Sequence, residues 1–290
     1  MTVSSGAPRA EDLRAAEARI AALPERRHFE YSGGVLSYRQ AGAGPTIVFL
    51  HGLLGSSSSW IRQMEALSGR FRVVAWDAPG YGQSSLVASD IIAYADALAA
   101  LLRHLGGEDV TVVGHSMGGA VATAAAAVLP AVRLDRLVLS CTHAGYAAAP
   151  GTPPTEKLTQ RIANLKSAGP EAYGLTRAQA MVAPETSPSV VALAACIAAE
   201  THPDGLFNAT RALQFANCRP FYERIAVPTL ALFAERDPVV RPELSAELRR
   251  LTPFARHVDL PDVGHAPYLE APEAYSHHIQ LFASMNRAWE

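Results

Sequence analysis

The chain has 290 residues, and α/β folds of that length often stay undivided, so one domain carrying an insertion is expected. With 49% hydrophobic and 18% charged residues, and mean hydropathy of +0.08, it can bury a large core, which excludes an intrinsically disordered segment. Twenty-five Lys and Arg against 27 Asp and Glu give a net charge of -2, without the basic excess that phosphate backbones require, so nucleic acid is not an expected partner. Residues 9–23 have helical spacing of Ala, Leu and Ile and stop at Pro24, which predicts an amphipathic leader over 1–27, outside the main fold. The first nine residues lack the apolar stretch of a secretory signal, and the longest apolar run, 118–132, is interrupted by Thr123 and Pro130. No membrane span is expected, and the chain reads as cytoplasmic.

Residues 28–31 and 35–40 flank Gly33 and Gly34, the grammar of a hairpin. Short continuous apolar runs follow at 46–50, 72–76, 110–114, 137–140, 229–234 and 257–260, as expected of parallel strands covered on both faces. Helical patterns occupy 59–67, 91–105, 117–129, 242–251 and 272–285. The alternation breaks between His143 and Tyr222. This stretch opens with Pro150-Gly151-Thr152-Pro153-Pro154 and continues as Ala-rich helices interrupted at Gly169-Pro170, Pro184, Pro188 and Pro203. The pattern predicts an α/β core over 28–142 and 223–290 and a helical lid over 143–222.

Gly114-His115-Ser116-Met117-Gly118 joins an apolar strand directly to an Ala-rich helix, the setting in which G-x-S-x-G lifts a nucleophilic serine above a sheet. Flanking glycines let strand and helix approach, and the helix N-terminus lies beside developing negative charge. A serine of this kind needs a base, and the base an orienting acid, in the chain order Ser, Asp or Glu, His. Asp237 follows the 229–234 strand and precedes Pro238; Glu235, two residues earlier, competes for the role. Ser140-Cys141-Thr142-His143 offers no carboxylate after the preceding strand. His265, in Gly264-His265-Ala266-Pro267, follows the last short strand and is the expected base. His115 is expected to point away from Ser116 across the elbow. The amides of Met117 and Leu53 are the expected oxyanion donors, with His51 holding the Leu53 loop by a hydrogen bond.

Leu50-His51-Gly52, Trp76-Asp77-Ala78-Pro79-Gly80, the Ser116 elbow and Gly264-His265 recur in an order that resembles the α/β-hydrolase superfamily, over about residues 28–285. The resemblance implies an eight-stranded, mostly parallel sheet flanked by helices, a Ser116, Asp237 and His265 triad, an oxyanion hole at Leu53 and Met117, and a structural role for the Asp77 loop. Serine in the nucleophile position disfavours haloalkane dehalogenases and epoxide hydrolases, which carry aspartate there. The lid layout is similar to that of 3-oxoadipate enol-lactonases and their esterase relatives. The expected activity is hydrolysis of small carboxylic esters or lactones with no metal or organic cofactor; C–C bond hydrolysis of ring-fission diketones and a catalytically silent binding protein are the alternatives. Trp60, Met181, Phe207, Phe215 and Phe221 are candidates for an apolar substrate pocket, and Arg161, Lys166, Arg177 and Arg211 for gripping a carboxylate. Cys141, Cys196 and Cys218 are widely spaced and read as reduced, mostly buried thiols.

Overall fold

A computed structural model describes residues 7–129 and 133–285. The outer ends of the predicted leader and core, 1–6 and 286–290, and the end of the apolar run at 130–132 lie outside the described residues. Eight strands form one sheet: β1 (Arg27–Tyr31), β2 (Gly34–Ala41), β3 (Thr46–Leu50), β4 (Arg72–Trp76), β5 (Val110–His115), β6 (Arg136–Ser140), β7 (Thr229–Ala234) and β8 (Arg256–Leu260). Their order is β1-β2-β4-β3-β5-β6-β7-β8. β2 runs antiparallel to both neighbours, and the other pairings are parallel.

Period-two alternation decides which face each strand residue serves. Val48, Leu50, Val74, Trp76 and Val112 enter the apolar layer shared with Tyr94, Leu98 and Leu101, whereas Ile47, Phe49, Val73, Ala75 and Val113 enter the layer containing Trp60, Ile61, Met64 and Tyr275. Because both faces are covered, β3 is buried along its whole length and its sequence, Thr-Ile-Val-Phe-Leu, shows no polar alternation.

The helices are α1 (Ala10–Ala21), α2 (Ile61–Leu67), α3 (Ile91–Leu105), α4 (Met117–Val128), α5 (Glu156–Ala168), α6 (Pro170–Gln179), α7 (Pro188–Ala199), α8 (Pro203–Phe215), α9 (Arg219–Tyr222), α10 (Pro242–Leu251), α11 (Pro267–Glu270) and α12 (Pro272–Ala283). Five of them, α5 to α9, fill the chain between β6 and β7. Pro170, Pro188 and Pro203 each sit in the first turn of a helix, where the missing N–H would have had no acceptor. No single helix among the described residues is long and apolar enough to cross a bilayer.

The leader departs from expectation. α1 forms as predicted but does not stand outside the fold: it lies along α7, with Ala16 buried and Leu13, Ile20 and Leu23 packed on the apolar layer that includes Trp60 and Tyr275. Arg19 makes a two-pronged contact with Glu65 of α2, and Arg39 donates to the Pro24 carbonyl. Periodicity exposed the apolar stripe but not its partner, because α7 lies far along the chain.

Candidate active site

The elbow is built by close approach. A Cβ at Gly114 would lie 2.4 Å from the Gly118 carbonyl oxygen, and one at Gly118 would lie 2.4 Å from that of Leu50, so any larger residue would force α4 off the sheet. Between them Ser116 takes φ 54° and ψ -118°, a conformation costing a non-glycine residue about 1–3 kcal/mol, held by its N–H to the Ser140 carbonyl (2.9 Å) and by the Thr142 hydroxyl on its own carbonyl. The strain lifts the hydroxyl to the carboxyl edge of the sheet, where Ser116 is 9% exposed.

Three strand ends meet there. The His265 Nε2 lies 3.1 Å from Ser116 Oγ, and its Nδ1 lies 2.8 Å from Asp237 Oδ2. The other carboxylate oxygen of Asp237 accepts from the Val239 and Val240 N–H groups at 2.8 and 2.9 Å, which fixes its plane toward the imidazole. Glu235 is exposed and accepts instead from the Asp262 N–H at 3.3 Å. With Nδ1–H directed at a carboxylate, Nε2 is the free acceptor for a hydroxyl proton. The arrangement can convert a weakly nucleophilic hydroxyl into an attacking oxygen.

The Leu53 loop follows β3 on the same edge. A Cβ on Gly52 would lie 2.9 Å from the Ser116 Cβ, which brings the backbone at Leu53 beside the elbow. His51 Nδ1–H donates to the Gly52 carbonyl (2.7 Å) while its Nε2 accepts from the Ala78 N–H (3.0 Å), and the Tyr81 hydroxyl donates to the Leu53 carbonyl (2.9 Å). These bonds hold the loop rigid, and they require a neutral His51, whose pKa is lowered chiefly by burial. Met117 opens α4 immediately after Ser116, with its N–H at the positive end of the helix. Asp77, fully buried, accepts from the Ser57 N–H, the Ser37 hydroxyl and Arg26, and ties the neighbouring loop to the hairpin.

Two further histidines border Ser116, Asp237 and His265. His115 packs against His265, ring centroids 4.7 Å apart, and against Tyr268 at 5.0 Å. Burial, followed by the charge of His265, pushes its pKa well below the ordinary value. His143 is buried after β6 and accepts the Gly145 N–H on Nδ1 (3.1 Å); burial and the proximity of His265 lower its pKa to about 4.

Glu270 escapes a sequence reading altogether. One of its oxygens accepts from the Gly264 N–H (2.9 Å), the Ala183 N–H (2.8 Å) and the Thr186 hydroxyl (2.9 Å), and the other from the Ala266 N–H (3.0 Å). It therefore clamps both residues flanking His265 to the segment between α6 and α7. No motif spacing marks it, since its partners are backbone amides that only the fold brings near.

The expected pocket residues separate. Met181 adjoins the site, its carbonyl accepting the His265 N–H at 2.7 Å. Trp60 does not: it is wholly buried among Phe49, Tyr268 and Tyr275, because the short helix at Ser57–Trp60 turns it under the sheet edge. Phe207 is 38% exposed on α8. Phe215 carries the Arg211 guanidinium on its ring, 4.4 Å from the centroid, so neither side chain is free for substrate; Arg211 also donates to Gln214 and the Thr152 carbonyl. Phe221 packs on the core. Among the described residues no cluster of three or more His, Cys, Asp or Glu side chains could hold a metal ion, and Cys141 and Cys218 are buried thiols with Cys196 half-buried.

Residues 45–272 match the family model of the alpha/beta hydrolase fold. An uncharacterized protein of Mycobacterium tuberculosis is 38% identical over 143 residues, 49% of this chain and 39% of that one, so the chain spans well under half of that relative's length. The pimeloyl-[acyl-carrier protein] methyl ester esterase of Vibrio campbellii is 26% identical over 255 residues, 86% of this chain and 98% of its own. Among solved structures, the enol-lactonase of Burkholderia xenovorans superposes with a TM-score of 0.77 at 26% identity, covering 89% of this chain and all of the other. With its sheet order, its elbow and this match over most of its length, the chain belongs to the α/β-hydrolase fold family.

Proposed function

We propose that the chain is a serine hydrolase that cleaves small carboxylic esters or lactones through an acyl-enzyme. The observation that carries this reading is the continuous pair of contacts from Ser116 Oγ to His265 Nε2 and from His265 Nδ1 to Asp237. Ser116 Oγ attacks the acyl carbon as its proton passes to His265, and the oxygen that gains charge is received by the Leu53 and Met117 amides. Asp237 stabilises the imidazolium, which gives its proton to the departing alkoxide. Water, deprotonated by His265, then attacks the acyl carbon, and the acid leaves as Ser116 regains its proton. The named activities of the Vibrio esterase and the Burkholderia enol-lactonase, both acyl-oxygen cleavages, support this chemistry. In this reading residues 143–222 form a lid over a core of 28–142 and 223–290, and Met181 is the apolar residue nearest the reacting groups.

The test is kcat/KM for p-nitrophenyl butyrate, an enol-lactone and a ring-fission diketone, on the wild type and Ser116→Ala. The ester or lactone should be preferred, and the substitution should cost at least about 10³-fold, the scale of losing a triad nucleophile. Retention of a tenth of the activity, or a preference for the diketone above about 100-fold, which is roughly 2.7 kcal/mol of transition-state binding, would overturn the reading. Absence of fluorophosphonate labelling at Ser116 would point to a silent binding protein instead.

A further inference from the structure

α6 approaches the candidate site near both of its ends. Near its start, Tyr173 packs in one apolar cluster with Leu53 and Leu54, the loop next to Ser116. Just past its end, Met181 accepts the His265 N–H. Tyr173 and Arg177 are four residues apart and so share one face of the helix, between those two contacts. Both carry buried polar atoms without a hydrogen-bond partner: the Tyr173 hydroxyl, on a side chain 4% exposed, and the Arg177 Nε. Unpartnered buried donors occur elsewhere in the core, but these two share one helix face beside the candidate site, where one acceptor from outside the chain could serve both.

The charges nearby have one sign. Arg161 of α5 is close enough to act on Arg177, Tyr173 and Lys157, and Arg241, which precedes α10 on the Asp237 side, also acts on Lys157. Burial and then the charge of Arg161 lower the Arg177 pKa, while Lys157 is lowered first by Arg161. Among the described residues no carboxylate pairs with any of these four cations. A half-buried guanidinium whose Nε is shut off from any acceptor, with only like charges around it, is costly, and an anion would offset that cost.

We propose that Tyr173, Arg177 and Arg161 form a carboxylate-binding site beside Ser116, and that the substrate is an ester or lactone bearing a second, ionised carboxylate. The inference rests on the hydrolase reading for the reaction but not for the anion. The Tyr173 hydroxyl is buried, so the group that reaches it is the end of a small molecule and not the surface of a macromolecule. Arg177 would meet the carboxylate through its fork of N–H donors, Tyr173 would donate its hydroxyl, and Arg161 would add charge from the facing helix.

The experiment compares kcat/KM for mono-p-nitrophenyl glutarate with that for p-nitrophenyl butyrate in the wild type, Arg177→Gln and Tyr173→Phe, alongside calorimetric titration of each protein with glutarate. The glutarate-to-butyrate ratio should fall at least about tenfold in Arg177→Gln, the scale of a lost charge-assisted hydrogen bond, and severalfold in Tyr173→Phe, which keeps the ring and its packing. The fall should lie in KM, and glutarate binding should weaken in parallel. Ratios within about twofold of wild type in both variants, or no saturable glutarate binding to the wild type, would overturn the proposal. Glutarate binding that depends on Arg177, with no ester turned over, would leave the anion site standing and sink the hydrolase reading alone.

Discussion

Asp237 and Glu235 leave β7 two residues apart, and what separates them is what their oxygens already hold. Asp237 sits 2.8 Å from the His265 Nδ1, locked by two backbone N–H groups, whereas Glu235 is exposed and spends its carboxylate on Asp262. Asp237→Asn keeps the shape but presents an amide N–H or a weaker acceptor to Nδ1, which favours the imidazole tautomer with its proton on the wrong nitrogen. A loss on the order of 10⁴-fold in kcat is expected, as in triads of this kind, with Glu235→Gln losing less than about tenfold. Steady-state kinetics of the two variants decide it: if Glu235→Gln proves the more damaging, the acid is Glu235. Ser116, Asp237 and His265 were legible as candidates because each follows a strand and carries its own local mark: Gly114 and Gly118 around Ser116, Pro238 after Asp237 and Gly264 before His265. Glu270 was not, since a carboxylate that serves four donors from two distant segments leaves no trace in spacing. Trp60 was misread for a related reason: an aromatic near a motif is visible in sequence, but the direction its ring takes is set by Phe49, Tyr268 and Tyr275.

At the scale of elements, prolines mark the starts of α6 to α12, because a residue barred from helix interiors is welcome in a first turn. The docking of α1 had no such sign. Its consequence is concentrated at Arg26, in the link from α1 to β1, which bonds Asp77 at 3.0 Å and Glu200 at the end of α7, where the Ser58 hydroxyl also donates to Glu200. Leader, core loop and inserted helices thus share one cation. Arg26→Gln should leave Asp77, which is wholly buried, short of its charged partner and cost about 1–3 kcal/mol of stability. Urea unfolding measures this, and a cycle with Glu200→Gln isolates the pair. An Arg26→Gln variant as stable as the wild type would mean that the Asp77 and Glu200 pairs add nothing to the docking of α1.

Across the whole molecule, the sheet gathers residues as far apart in sequence as Ser116 and His265, 149 positions, onto one carboxyl edge, and it buries the polar side chains around them. The parallel pattern of apolar runs made that edge legible, but not how deeply its polar residues would be buried. One result is that His51, His115 and His143 are all held neutral, their pKa values lowered first by burial. In the unfolded chain each titrates near the ordinary histidine value of about 6.5, so below that pH the unfolded state binds more protons than the folded one and stability falls. For His143 the loss begins near that value, continues down to about 4, and amounts to about 2 kcal/mol by pH 5, at 1.36 kcal/mol per unit. Above pH 7 the same residue contributes no pH dependence. His143→Asn retains an acceptor for the Gly145 N–H and removes the titration, so its stability should decline less steeply between pH 7 and pH 5 than that of the wild type. Urea midpoints at the two pH values provide the comparison. Parallel declines would show that His143 binds its proton as readily in the folded chain as in the unfolded one, and the acid sensitivity would then belong to His51 and His115.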